Sequence, residues 1–139
     1  MAELKFETGI VTFSINGVCD ISFNPTDSAF VEKLFNAFDT LDKRQEAYKA
    51  EIEKTANKRE VFGTARKMDA EMREIIDGVF DRPVCADIFG GMNVYALADG
   101  LPVWCNFMMA IIDETDTTFA REQKATNPRI AKYTKKYHK

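Results

Sequence analysis

Three cysteines, a single histidine and one run of acids are the side chains here best able to do covalent, metal or acid-base chemistry. Cys19, Cys85 and Cys105 stand far apart, in odd number and with no CxxC pair. Such spacing does not build a disulfide framework and fits a reducing, cytoplasmic location. A structural zinc site needs four closely spaced Cys or His ligands, which these dispersed thiols do not supply. The one histidine, His138, is next to last. A Ser-His-Asp or Cys-His site needs a histidine fixed on rigid structure by a third group, so catalysis of that kind is not expected. Asp113, Glu114 and Asp116 suggest a carboxylate site, but neighbouring acids on one helix face are usually solvated, and no partner cluster is visible elsewhere. Gly90-Gly91 and Gly100 match neither GxxxxGK[ST] nor a GxGxxG after a strand, and read as glycines that end helices. The sequence thus predicts no catalytic residue, no cofactor, no metal, and a protein that is not an enzyme.

Two other features carry information about binding. Trp104, Phe107, Met108, Met109, Ile111 and Ile112 crowd one segment. They form either core or a partner surface, since methionine beside aromatic rings suits adaptable apolar binding. The second feature is a charge asymmetry. Residues 123–139 hold Lys124, Arg129, Lys132, Lys135, Lys136 and Lys139 and no acid, leaving 13 basic against 22 acidic groups before them. The division is therefore a body, 1–122, and a basic tail, 123–139. Tyr133 and Tyr137 give the tail aromatic surface that would suit nucleic acid. The acidic body would repel phosphates, however, so the readings left are a solvated, partly disordered end and a dock on acidic protein surface of this or another chain.

The elements that position these residues are mostly helical. With 139 residues, 45% of them apolar, the chain suits one domain with a real core. Alternation over Ile10–Ile15 and Val18–Phe23 about Asn16-Gly17 predicts a β-hairpin, with Val11, Phe13 and Ile15 on one face and the second strand's register undetermined. Asn24-Pro25 ends it, and Thr26 or Asp27 caps a helix. That helix carries Val31, Leu34, Phe38, Leu41, then Gln45, Tyr48 and Ile52 at spacings of three and four, a stripe for pairing with another helix. The stripe lapses over 53–60 and resumes at Val61, Ala65, Met68, Met72, Ile75 and Val79. One long bent helix and two helices broken near Asn57 both fit. A short helix over Val84–Phe89 follows, then one capped by Asn93 through Ala98, and one from Pro102 to about Ala120. In the tail, Ile130, Tyr133 and Tyr137 recur at three and four, the spacing of a short amphipathic helix. The fold class is mainly α with a short N-terminal β-hairpin (α+β): a helical bundle with one long or broken amphipathic helix. No membrane span is expected, because Asp99, Gly100, Pro102 and Asn106 interrupt the most apolar stretch, and the start MAELKFETG lacks a signal-peptide layout.

The strings FNPTDSAFVEKLFNAF over 23–38 and IFGGMNVY over 88–95, with the Trp104 helix, resemble small uncharacterised proteins of phages and prophages of Gram-positive bacteria. The layout, an NG hairpin followed by helices, is also similar to phage tail assembly chaperones. That second resemblance implies a mechanism: binding apolar helical segments of the tape measure protein, as a homo-oligomer in the host bacterial cytoplasm, before the tail tube forms. Candidate partner-binding residues are then Val31, Leu34, Phe38, Leu41, Tyr48, Ile52, Trp104, Phe107, Met108 and Met109. The basic tail residues Arg129, Lys132, Lys135 and Lys136 match no role in that family. Two alternatives stand beside it: a structural tail or head-completion subunit retained in the particle, and a nucleic-acid-binding regulator using the basic tail.

Overall fold

A computed structural model describes residues 1–137. His138 and Lys139, which carried the expectation about histidine and one of the tail charges, lie outside the described residues. Strands β1 (Val11–Ile15) and β2 (Cys19–Phe23) form the antiparallel hairpin, with Val11 opposite Phe23 and Ile15 opposite Cys19. Asn16 and Gly17 take φ of 52° and 72°, and the Val18 N–H donates to the Ile15 carbonyl at 3.0 Å. This is the tight turn that the Asn-Gly pair favours. The ladder resumes only at Cys19, leaving Val18 outside it and exposed. That extra residue fixes the register, so Cys19, Ile21 and Phe23 share the buried face. Opposite them Phe13 and Ile15 are half-buried, while Val11 lies at the open end and is mostly wet.

Helices α1 (Ser28–Lys54) and α2 (Lys58–Phe80) form an antiparallel helical hairpin, resolving the two readings of 53–60 in favour of a break. Asp27 starts α1 by accepting from the Ala29 N–H, and Asn57 starts α2 by accepting from the Arg59 N–H. Both satisfy amides that the first turn leaves free. Across the pair, Leu34 and Leu41 of α1 meet Met68, Met72, Ile76 and Val79 of α2 in one core. Ile76 is fully sealed, and Ile75, the residue expected from the spacing, is only half-buried.

The short helix α3 (Val84–Phe89) ends at Gly90, as expected, and begins where Asp77 of α2 accepts from the Cys85 N–H at 2.9 Å. The helix expected from Asn93 through Ala98 is absent. Leu97–Ala98 (β3) pairs instead with Leu101–Pro102 (β4) across Asp99-Gly100, both at positive φ. Asp-Gly is itself a hairpin turn signal, and over this short span it prevails over the capping potential of Asn93. Asn93 makes only a local turn, accepting from the Tyr95 N–H while its amide donates to the Ala65 carbonyl. Helix α4 (Val103–Lys124) starts after Pro102, and its first two amides donate to the carbonyls of Ala96 and Val94. It runs past the expected end at Ala120, so the boundary drawn at residue 122 falls within its last turn. Helix α5 (Arg129–Tyr137) follows, with every side chain from Arg129 to Lys136 exposed.

Much of the phenylalanine content forms one chain of ring contacts through the core. Phe13 stacks on Phe23, Phe23 on Phe30, and Phe30, Phe80, Phe107 and Phe89 continue at centroid separations between 4.5 and 6.0 Å. The rings tie the hairpin to all four body helices, which is how a two-stranded ribbon too small to stand alone is held.

The segment 90–94 is pinned by polar groups. Asp69 accepts from the Val94 N–H at 2.7 Å and from the Arg73 guanidinium at 3.0 Å, and Arg73 donates on to the carbonyls of Gly90 and Met92. The pair is mostly buried. Asp69→Ala strands the Val94 amide and frees the guanidinium, so a loss of about 2–3 kcal/mol is expected in urea unfolding. Asp69→Asn, which keeps an acceptor, is expected to lose less.

Candidate functional site

A groove of about 530 Å³ lies between β1 and α4, bordered by α3. One wall is formed by Phe13 to Asn16, the end of β1 and the start of its turn. The opposite wall is a single stripe of α4: Val103, Asn106, Phe107, Ala110, Ile111 and Glu114, at the three-and-four spacing that places them on one face. Phe23, Ile88, Phe89 and Met92 complete it. Its lining is mainly apolar, with Ser14, Asn16, Asn106 and Glu114 as the polar positions. Met92 and Leu97 beside it are among the exposed large apolar side chains.

Electrostatics give the groove a sign. From residue 83 to 120 the chain contains Asp87, Asp99, Asp113, Glu114 and Asp116 and no lysine or arginine. Of the side chains that line the groove Glu114 is the charged one, and Asp87 and Asp99 adjoin the lining residues Ile88 and Ala98 in sequence. Arg82, at its border, is turned to the hairpin and donates to the Asp20 carbonyl at 2.7 Å.

The structure redistributes the predicted partner residues. Leu34, Leu41, Trp104, Phe107 and Met108 are each at most 8% exposed and belong to the core, which corrects the expectation that they face a partner. The reason is geometric: the α1 stripe is consumed by α2, and the Trp104 face by the helices beneath it. Phe38 packs on Trp104 and Tyr48 stacks on Tyr95 at 3.8 Å, leaving both half-buried, like Val31 and Ile52. Met109 is exposed but lies outside the groove lining, near the Cys105 thiol. Phe107 touches the groove with one side of its ring. The groove residues Phe13, Ile88, Phe89, Met92 and Ala110 were not singled out by the sequence. Their signal would have been the α4 stripe read separately from the segment's overall apolarity.

Chemically the interior is inert. All three thiols are buried. Burial first, and then the adjacent Asp77, push the Cys85 thiol far above its ordinary range, and burial raises Cys105 as well. Burial also pushes the Tyr95 phenol up to about 12, and its hydroxyl is sealed without a hydrogen-bond partner. Among the described residues, no three of His, Cys, Asp and Glu converge as a metal site would require.

A pH dependence follows from these shifts. In the unfolded chain the Cys85 thiol ionises near its ordinary 9.0 and the Tyr95 phenol near 10.0, whereas the folded chain keeps both protonated. Their contribution is complete below the unfolded values and is lost as pH rises above them. Urea midpoints are therefore expected to fall between about pH 8 and about pH 10.5. Tyr95→Phe is expected to flatten part of that fall without destabilising the protein at neutral pH, because it deletes an unpaired hydroxyl.

Among the described residues no helix is long and apolar enough to cross a membrane. Comparison with known proteins adds no relative: no protein family matches the chain, and no curated protein or solved structure matches it.

Proposed function

We propose that this protein is a non-catalytic phage or prophage morphogenesis protein, a tail assembly chaperone. It would bind apolar helical segments of a tape measure protein, as an oligomer in the host bacterial cytoplasm. The observation that carries the reading is the groove between β1 and α4: mainly apolar and lined by adaptable methionine and phenylalanine side chains. A client helix with one greasy face fits such a surface, and an unassembled tape measure protein exposes many. The binding surface in this reading is the groove, not the α1 stripe or the Trp104 face.

Co-expression with a tape measure protein is the test. The wild type is expected to raise the client's soluble fraction and to co-purify with it. Ala110→Lys, which fills the groove from an exposed position, should cut capture at least about tenfold, the equivalent of about 1.4 kcal/mol. No co-purification and no change in client solubility would overturn the reading. Purified virions separate it from a structural tail or head-completion subunit, since a chaperone should be missing from them.

A further inference from the structure

We infer that α5 of one copy of this chain docks in the β1–α4 groove of a second copy, joining copies head to tail. Three independent features of groove and helix agree. The first is charge. Glu114 is the charged side chain among those lining the groove, Asp87 and Asp99 adjoin lining residues in sequence, and α5 carries Arg129, Lys132, Lys135 and Lys136 and no acid. The second is apolar content. Ile130 and Tyr133 lie three apart on α5 and are 73% and 47% exposed, unpartnered beside a mainly apolar groove. Lysine and arginine stems would let the charged heads reach the acidic rim while these two side chains enter the floor. The third is length: α5 spans about 13 Å, and the groove face of α4 from Val103 to Glu114 spans about 16 Å.

The occupant is a second copy, because α5 stays out of its own chain's groove: no described α5 residue lines it, and the side chains of Arg129 to Lys136 are exposed. Folding α5 back along the groove face of α4 would take it over Thr118, Arg121 and Glu122. Residues Glu7 to Val11 of the same chain lie against that part of α4 and line a hollow with it. Asn24 holds this arm in place, its amide donating to the Thr8 carbonyl at 2.8 Å.

A head-to-tail contact is heterologous, so each copy offers one helix and one groove, and copies extend into a ring or an open chain. Sedimentation of the full chain, without any client, is the experiment. The wild type should grow with concentration and shrink toward monomer in high salt, because the attraction is largely between exposed charges. Ala110→Lys blocks the groove, and Ile130→Glu combined with Tyr133→Glu disables the helix. Each variant should be monomeric alone, its association at least about tenfold weaker. Mixed, they should form a 1:1 dimer that grows no further, since one supplies the helix and the other the groove. The α5 positions lie outside the core, so folding of that variant is not at stake.

A wild type that stays monomeric at all concentrations would overturn the inference. So would retained association in the α5 variant, or a mixture that stays monomeric. The inference rests on the groove and not on its phage role: failure to capture a tape measure protein leaves the sedimentation result standing, and the reverse holds too.

Discussion

Leu34→Glu and Leu41→Glu are each expected to abolish folding, not to dissolve an oligomer. Both leucines are fully buried, facing Met72 and its neighbours across the two long helices. Removing such a side chain from a packed core costs about 3 kcal/mol or more. A carboxylate placed in this apolar core adds several more or forces protonation. Together these approach the whole stability of a domain this size, typically about 5–15 kcal/mol. Circular dichroism should show loss of helix at neutral pH, with partial recovery in mild acid as the carboxyl becomes neutral. A variant that kept full helix and changed only its size in solution would place these leucines at a subunit interface and contradict the packing described above.

Trp104→Ala is expected to cost about 3–5 kcal/mol for the lost ring, at the upper end of large-to-small core changes. The indole is 2% exposed and packs against Phe38 at 5.8 Å, and its Nε1–H donates to Gln45 at 2.8 Å. Deleting it opens a void at the start of α4 and leaves Gln45 unpaired. Trp104→Phe divides the cost, because it retains most of the ring and loses the hydrogen bond, for a smaller loss of about 1–2 kcal/mol. Urea unfolding of the three proteins checks both figures. An alanine variant less than about 1 kcal/mol below wild type would mean that this face is not core.

How far the sequence could be read depended on whether the signal was local. Asn16-Gly17, Asp27, Gly90 and Pro102 each act through their own backbone or the next turn, and the hairpin and helix ends they mark are where the sequence places them, while Asn57 settles a break that the spacing left open. Asp99-Gly100 is just as local a signal, but the strands it joins are two residues each, too short to show alternation beside the capping potential of Asn93. The register of β2 turned on one residue, Val18, dropping out of the ladder, which alternation alone does not determine. The functional surface was harder. Leu34 and Ala110 both sit on apolar helix stripes, and only the three-dimensional packing decides that α2 covers the first while the second stays exposed among the described residues. A greasy stripe in a sequence reports that something must cover it, not which molecule does.

The one-sided charge of residues 83–120 also governs how the molecule can be taken apart. Trypsin cuts after lysine and arginine, so it has no target between Arg82 and Arg121, while the exposed C-terminal helix offers one at Arg129 and again at Lys132. Brief digestion should therefore trim that helix and leave the strand-facing side of α4 uncut. The chain carries its own scissile handle for stripping a protomer of its plug.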